Sequence, residues 1–126
     1  MAEYIPGVCN INAEEIAYRR KAGNFMLALS VIITVLLIIM NASFLISFIL
    51  IVPFVTLTTL SYLQAKNAFC VKYAGSGQEN ASESSKSAKA ISNRKNIEID
   101  KAKANKMYMQ SVAIGIIIAL IVDLFL

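Results

Sequence analysis

The sequence has no histidine and no tryptophan, and its only cysteines are Cys9 and Cys70. Without histidine, the chain has neither a histidine acid/base catalyst nor a histidine-ligated metal site. Two thiols are too few for a disulfide scaffold or a four-cysteine zinc site. Charged residues make up only 16% of the chain, against about 25% in soluble domains. We therefore expect no catalytic residue, no metal and no cofactor.

Apolar residues, in contrast, make up 57% of the 126 residues and cluster in the segments 25–40, 44–63 and 107–126. A membrane-spanning helix needs about 20 mostly apolar residues, and extension to 22–42 gives the first segment that length. Helices of a soluble bundle keep a polar face, which 25–40 and 112–122 lack. A cleaved signal peptide is disfavoured because no A-x-A site follows the first segment. The sequence predicts an all-α integral membrane protein with three transmembrane helices.

The first two apolar segments are expected to form a helical hairpin. A single helix over 25–63 would be about 60 Å long, twice the roughly 30 Å hydrocarbon core of a bilayer. Asn41-Ala42-Ser43 is the only polar break between the segments. Asparagine tolerates the left-handed conformation that ends a helix, and serine caps the next one, so we place the turn there.

The positive charges indicate an orientation. All 12 lysines and arginines lie in 19–21 and 66–106, which three spans place on one side of the membrane. Basic residues near span ends stay cytoplasmic, so we expect a cytoplasmic N-terminus and an extracytoplasmic C-terminus in the cell membrane. A lipid bilayer with anionic headgroups accounts for the net charge of +4. No basic stripe is interleaved with aromatic residues, so no nucleic-acid partner is expected.

Before the first span, Asn12 and Glu15 have the spacing of a helix-capping box. The sequence predicts an interfacial amphipathic helix over 13–22, with Arg19 and Arg20 facing lipid phosphates. Ala22-Gly23-Asn24 allows a bend before the span, and Pro6-Gly7 marks a turn in the preceding segment.

The chain divides into an interfacial helix plus hairpin (1–80), a polar cytoplasmic linker that is partly helical (81–106) and a third span (107–126). The second helix is expected to continue to Tyr73, and 79–92 to be flexible or weakly helical. From Arg94 a helix should run on into the third span without interruption. Its charges, Asp100 and Lys103 among them, are expected to form a solvated face.

Both cysteines are expected near the cytoplasmic boundary of the membrane, close to several polar residues. The candidate functional or structural cluster comprises Cys9, Asn10, Glu15, Arg19, Cys70 and Asn80. A thiolate stabilised by an arginine would be reactive or metal-binding. Alternatively, the two thiols are small buried groups that pack a loop onto a helix. Reversible palmitoylation of a juxtamembrane cysteine is a third interpretation.

Two short motifs resemble those of a group of small bacterial membrane proteins for which no activity is known. The motifs are G-x-C-N-I…E-I…R-R…G, then a helical hairpin, then F-C…G-x-x-N. The matching residues are Gly7, Cys9, Asn10, Ile11, Glu15, Ile16, Arg19, Arg20, Gly23, Phe69, Cys70, Gly77 and Asn80. The resemblance covers about 6–80 and implies a bacterial or related origin and a compact two-helix unit with both motifs at one face. Residues 81–106 and the third span depart from the pattern.

Three spans enclose little interior, so we expect a small non-catalytic structural or accessory subunit. It would oligomerise with itself or dock on a larger membrane complex. Gly115-x-x-x-Ala119 is a small-xxx-small seam suited to helix contact. One alternative is a thiol-based redox- or metal-responsive membrane protein that uses Cys9 and Cys70. A second alternative is a small pore- or holin-like oligomer.

Overall fold

The computed structural model describes residues 3–82 and 87–126 and is mostly helical. In this part of the chain, three helices are long and apolar enough to cross a membrane: α1, α2 and α4. The elements are α1 Ala13–Ile39, α2 Phe44–Asn67, α3 Val71–Gly75, β1 Gln78–Glu79, β2 Lys89–Ala90 and α4 Arg94–Asp123. The predicted all-α membrane protein with three spanning helices is confirmed.

The hairpin between α1 and α2 turns where the sequence predicts. Asn41 adopts a left-handed conformation, with φ +52°. The Ser43 hydroxyl accepts a hydrogen bond from the backbone amide of Ile46 and caps α2. The two helices then run back along each other, and the hydroxyls of Ser30 and Thr58 meet in the buried interface at 3.0 Å.

The expected bend at 22–24 is absent, because α1 is continuous from Ala13 to Ile39. Gly23 is buried against α2, and a Cβ atom there would lie 2.9 Å from the Tyr62 ring. The Tyr62 hydroxyl donates to Asn24 Oδ1 at 2.6 Å. The interfacial helix predicted over 13–22 is therefore not a separate element but the first turns of α1, since Tyr62 holds this segment straight against α2.

Helix α2 is the centre of the three-helix arrangement, and both α1 and α4 pack on it. Small buried residues on one face of α4 allow a close approach: Ser111, Gly115 and Ala119. A Cβ atom on Gly115 would lie 2.7 Å from Thr56 Oγ1 and 2.9 Å from the Val52 carbonyl oxygen. The Gly115-x-x-x-Ala119 seam is therefore occupied within the molecule, by α2.

At the polar end of the bundle, α2 ends at Asn67 and does not continue to Tyr73. Ala68 is left-handed, with φ +50°, and turns the chain so that Phe69 is fully buried. Beyond α3, β1 and β2 pair antiparallel, so the described parts of the expected flexible linker are ordered on both sides. Residues 83–86 of that linker lie outside the described residues. Helix α4 begins at Arg94 and is continuous into the third span, as the sequence predicts.

Candidate functional site

The segment before α1 folds across the polar end of the bundle. We call residues 3–12 the lead-in. The backbones of Ile5 and Cys9 exchange two hydrogen bonds of 2.9 Å, and Gly7 between them has a φ of +71°. The turn predicted at Pro6-Gly7 is therefore present, and it directs Asn10 towards the junction between α2 and α3.

Asn10 joins the lead-in to that junction. Its side chain is fully buried, and it accepts from the Cys70 amide at 2.6 Å and donates to the Cys70 carbonyl at 3.1 Å. Its backbone amide donates to the Ala68 carbonyl at 3.0 Å, and its carbonyl accepts from the Asn80 amide at 2.7 Å. Asn10 thus satisfies the Ala68 carbonyl and the Cys70 amide, and it adds a second donor to the Cys70 carbonyl, which also accepts from the Ala74 amide. This pairing holds the lead-in against the chain directly after the end of α2.

The first turns of α1 add a charged network to the same junction. Glu15 Oε1 pairs with Arg19 Nη1 at 3.0 Å, and Glu15 Oε2 accepts from Asn80 Nδ2 at 3.1 Å. Arg19 Nη2 lies 2.9 Å from Cys70 Sγ, and its guanidinium lies 5.7 Å from the centre of the Tyr73 ring. Because Glu15 and Arg19 are one helical turn apart, one face of α1 holds both α3 and the segment around Asn80.

Five of the six predicted cluster residues thus belong to one hydrogen-bonded network: Asn10, Glu15, Arg19, Cys70 and Asn80. The sixth, Cys9, lies in the lead-in, and its thiol donates to the Ile11 carbonyl at 3.4 Å. Both cysteines are free thiols, Cys9 half-buried and Cys70 with 1% of its surface exposed. Within 3–82 and 87–126, no three histidine, cysteine or acidic side chains are grouped closely enough to hold a metal ion.

Asn12 is a second structural asparagine, next to the cluster. Its Oδ1 accepts from the Glu15 amide at 3.0 Å, so Asn12 caps α1 as predicted. Its Nδ2 donates to the Ser82 carbonyl at 3.0 Å, and Ile11 forms an isolated parallel bridge with Asn80. The cap therefore fixes both the start of α1 and the chain beyond β1.

Asp100 was not among the predicted cluster residues and was expected on a solvated face. That expectation is wrong for this residue, because Asp100 is fully buried. Its Oδ2 accepts from the Tyr4 hydroxyl at 2.8 Å, and its Oδ1 accepts from the Gly7 amide at 2.7 Å. The spacing could have indicated this, since Asp100 shares one face of α4 with the buried residues Ala104 and Met107.

Two tyrosines lie beside carboxylates at this end of the bundle. Burial and the hydrogen bond to Asp100 raise the pKa of Tyr4, and burial and the hydrogen bond to Glu15 raise the pKa of Tyr73. A raised pKa keeps the neutral phenol in the folded state. The stability that these phenols contribute is present below the ordinary tyrosine pKa and is lost only as pH rises through the raised values. Both phenols are therefore neutral at neutral pH.

Lys103 completes the packing between α4 and the other polar segments. Its Nζ lies 4.8 Å from the centre of the buried Phe69 ring and donates to the Val8 carbonyl at 3.4 Å. The lead-in, the α2–α3 junction and the first half of α4 therefore form one packed polar end.

Comparison with known proteins finds no match: no protein family, no curated protein and no solved structure is significantly similar to this chain.

Proposed function

We propose that this chain is a small non-catalytic membrane protein, a structural or accessory subunit that packs on copies of itself or on a larger membrane complex. The observation that carries the proposal is the internal pairing of two carboxylates at the polar end. Glu15 is paired with Arg19 and Asn80, and Asp100 with Tyr4 and Gly7. Groups used in this way hold the fold together and are not free to act on a substrate.

The surface of the spanning helices supports the packing role. Large apolar side chains are exposed on all three helices, among them Val31 on α1, Ile49 on α2, and Ile117 and Leu120 on α4. In a bilayer such side chains contact either lipid or a partner helix. The confinement of lysine and arginine to the polar end supports a cytoplasmic N-terminus and an extracytoplasmic C-terminus in the cell membrane.

Site-specific photocrosslinking in native membranes tests the proposal. A photoreactive phenylalanine analogue replaces Ile49 or Ile117, which are 58% and 54% exposed, and as a control Ile51, which is 1% exposed. We expect at least one exposed position to give a protein adduct of discrete mass, and Ile51 to give none to another chain. Only lipid adducts at both exposed positions would contradict the packing role. Dye release from vesicles by the purified protein would favour a pore-like oligomer instead.

The contact between Arg19 and Cys70 favours a second candidate function, a thiol-responsive membrane protein. Arg19 Nη2 lies 2.9 Å from a buried sulfur atom, and oxidation or alkylation of that sulfur would displace the guanidinium. Arg19 would then release the α3 segment from α1. The metal-responsive form of this function has less support, because the described residues contain no group of three histidine, cysteine or acidic side chains that could hold a metal ion.

Thiol reactivity separates the two candidates. Because Cys70 is buried, we expect a maleimide to label it at least about tenfold more slowly than Cys9 in the folded protein. On the packing proposal, Cys70→Ser keeps a small polar side chain and leaves the crosslinking pattern unchanged, and Cys9→Ser is the matched control. Labelling of Cys70 as fast as Cys9, together with loss of crosslinks in Cys70→Ser, would favour the thiol-responsive function.

A further inference from the structure

A groove of about 540 Å³ lies between α1 and α4, with α2 as its floor. Two of the hydroxyls that line it are already used. Ser30 and Thr58 contact each other, Ser30 donates to the Met26 carbonyl and Thr58 to the Phe54 carbonyl. The surface presented to an occupant is therefore almost entirely apolar, and it suits a hydrocarbon chain better than a polar ligand.

A second cavity, also of about 540 Å³, lies at the polar end of the bundle. Its lining combines two lysines, Lys103 and Lys106, with the amide side chains of Asn67 and Gln110. Lysines and amides are hydrogen-bond donors, and the lysines carry positive charge. This cavity therefore suits an anionic group at the level of the membrane surface.

The two cavities follow each other along the seam between α2 and α4. Side chains four residues apart lie on the same face of a helix. The lining residues recur at this spacing: Lys106, Gln110, Ile114 and Ile118 on α4, and Val55, Thr59, Leu63 and Asn67 on α2. Lys66, at the end of the groove, lies beside Asn67. The basic cavity therefore lies next to the mouth of the apolar groove.

Length and charge identify the occupant. From Val55 to Lys66 the groove covers eleven residue steps of α2, about 16 Å, which is half of the roughly 30 Å hydrocarbon core. A partner helix would need a surface across the whole bilayer, whereas an acyl chain occupies one leaflet. Lys66 and Lys106 are exposed, and the one ion pair found in the described residues joins Arg19 to Glu15. The lysines are therefore available to an anion.

We propose that this seam is a binding site for one anionic phospholipid. Its phosphate contacts Lys66 and Lys106, and one acyl chain occupies the groove between α1 and α4. The site is independent of the proposed packing role, because it requires no second protein.

The test compares lipid retention by native mass spectrometry. Full-length protein is reconstituted in vesicles of phosphatidylcholine with added phosphatidylglycerol and then released into detergent. The headgroup variant is Lys66→Gln with Lys106→Gln, two exposed positions, so the fold is preserved. The matched control, Lys95→Gln with Lys101→Gln, removes the same charge from exposed positions of α4 outside the seam. The groove variant is Thr59→Phe, which fills the middle of the groove.

We expect the wild type and the control to retain one phosphatidylglycerol in preference to phosphatidylcholine. Each lysine near an anionic headgroup contributes roughly fivefold to affinity. The headgroup variant lacks two lysines, so it should bind phosphatidylglycerol about 25-fold more weakly. The groove variant should lose both lipids, and soluble glycerol phosphate should not compete, since it has no chain. The proposal would be overturned if the headgroup variant and the control retained phosphatidylglycerol equally, or if the wild type showed no preference between the two lipids. A crosslink from Ile114 to another protein chain would also overturn it.

Discussion

Replacing Asn10 with alanine is expected to detach the lead-in from the junction between α2 and α3. The change leaves the buried Cys70 amide without an acceptor, whereas the Cys70 carbonyl still accepts from the Ala74 amide. An unsatisfied buried polar group costs about 1–3 kcal/mol, so we expect a loss of about 2 kcal/mol in the free energy of local opening. Since about 1.4 kcal/mol corresponds to a factor of ten, amide exchange at Cys70 should become roughly 30-fold faster.

Hydrogen exchange with mass spectrometry on the protein in detergent or nanodiscs measures this effect, in a peptide that contains Cys70. Asn105→Ala is the matched control, because Asn105 is exposed on α4. The control should leave exchange unchanged, and helix content should be the same in both variants. Wild-type exchange at Cys70 in Asn10→Ala would mean that other contacts hold the junction.

Replacing Gly115 with valine should force α4 away from α2. The new Cβ would lie 2.7 Å from Thr56 Oγ1 and 2.9 Å from the Val52 carbonyl oxygen, both closer than van der Waals contact. A backbone oxygen on a packed helix cannot rotate out of the way, so the helices must separate along the seam. Overpacking of this kind costs about 3 kcal/mol, and the free energy of unfolding should fall by that amount.

This loss of stability is measured by unfolding the purified protein with a denaturing detergent and monitoring its helix content by circular dichroism. Ala113→Val makes the same type of side chain on an exposed face of α4 and should change stability little. Combining Gly115→Val with Thr56→Ala should recover only part of the loss, because the Val52 carbonyl remains. Full stability of Gly115→Val would contradict the close helix approach.

The hairpin shows how far local sequence predicts this fold. Asn41 is left-handed and Ser43 caps α2, as residue preferences at helix ends require. The cap by Asn12 was predictable for the same reason. Each of these features depends on a few neighbouring residues and on nothing distant in the chain.

The candidate site was predictable only in part. Because both cysteines were expected at one membrane boundary, the sequence predicted a cluster, and five of its residues share a hydrogen-bonded network. It did not predict which residue bonds to which. Asp100 was missed because its bonds reach Tyr4 and Gly7, 96 and 93 positions away in the sequence. The continuity of α1 through Gly23 was likewise decided by the Tyr62 ring on another helix.

The sequence by itself determined three apolar helices, one tight hairpin and a basic polar end, because hydrophobic length and helix-end preferences act locally. Only the tertiary structure decided where α2 stops, which carboxylate is buried and which polar groups meet. Those outcomes depend on satisfying buried hydrogen-bonding groups across distant segments, and the chain must fold before Asn10 can reach Cys70 or Asp100 can reach the lead-in.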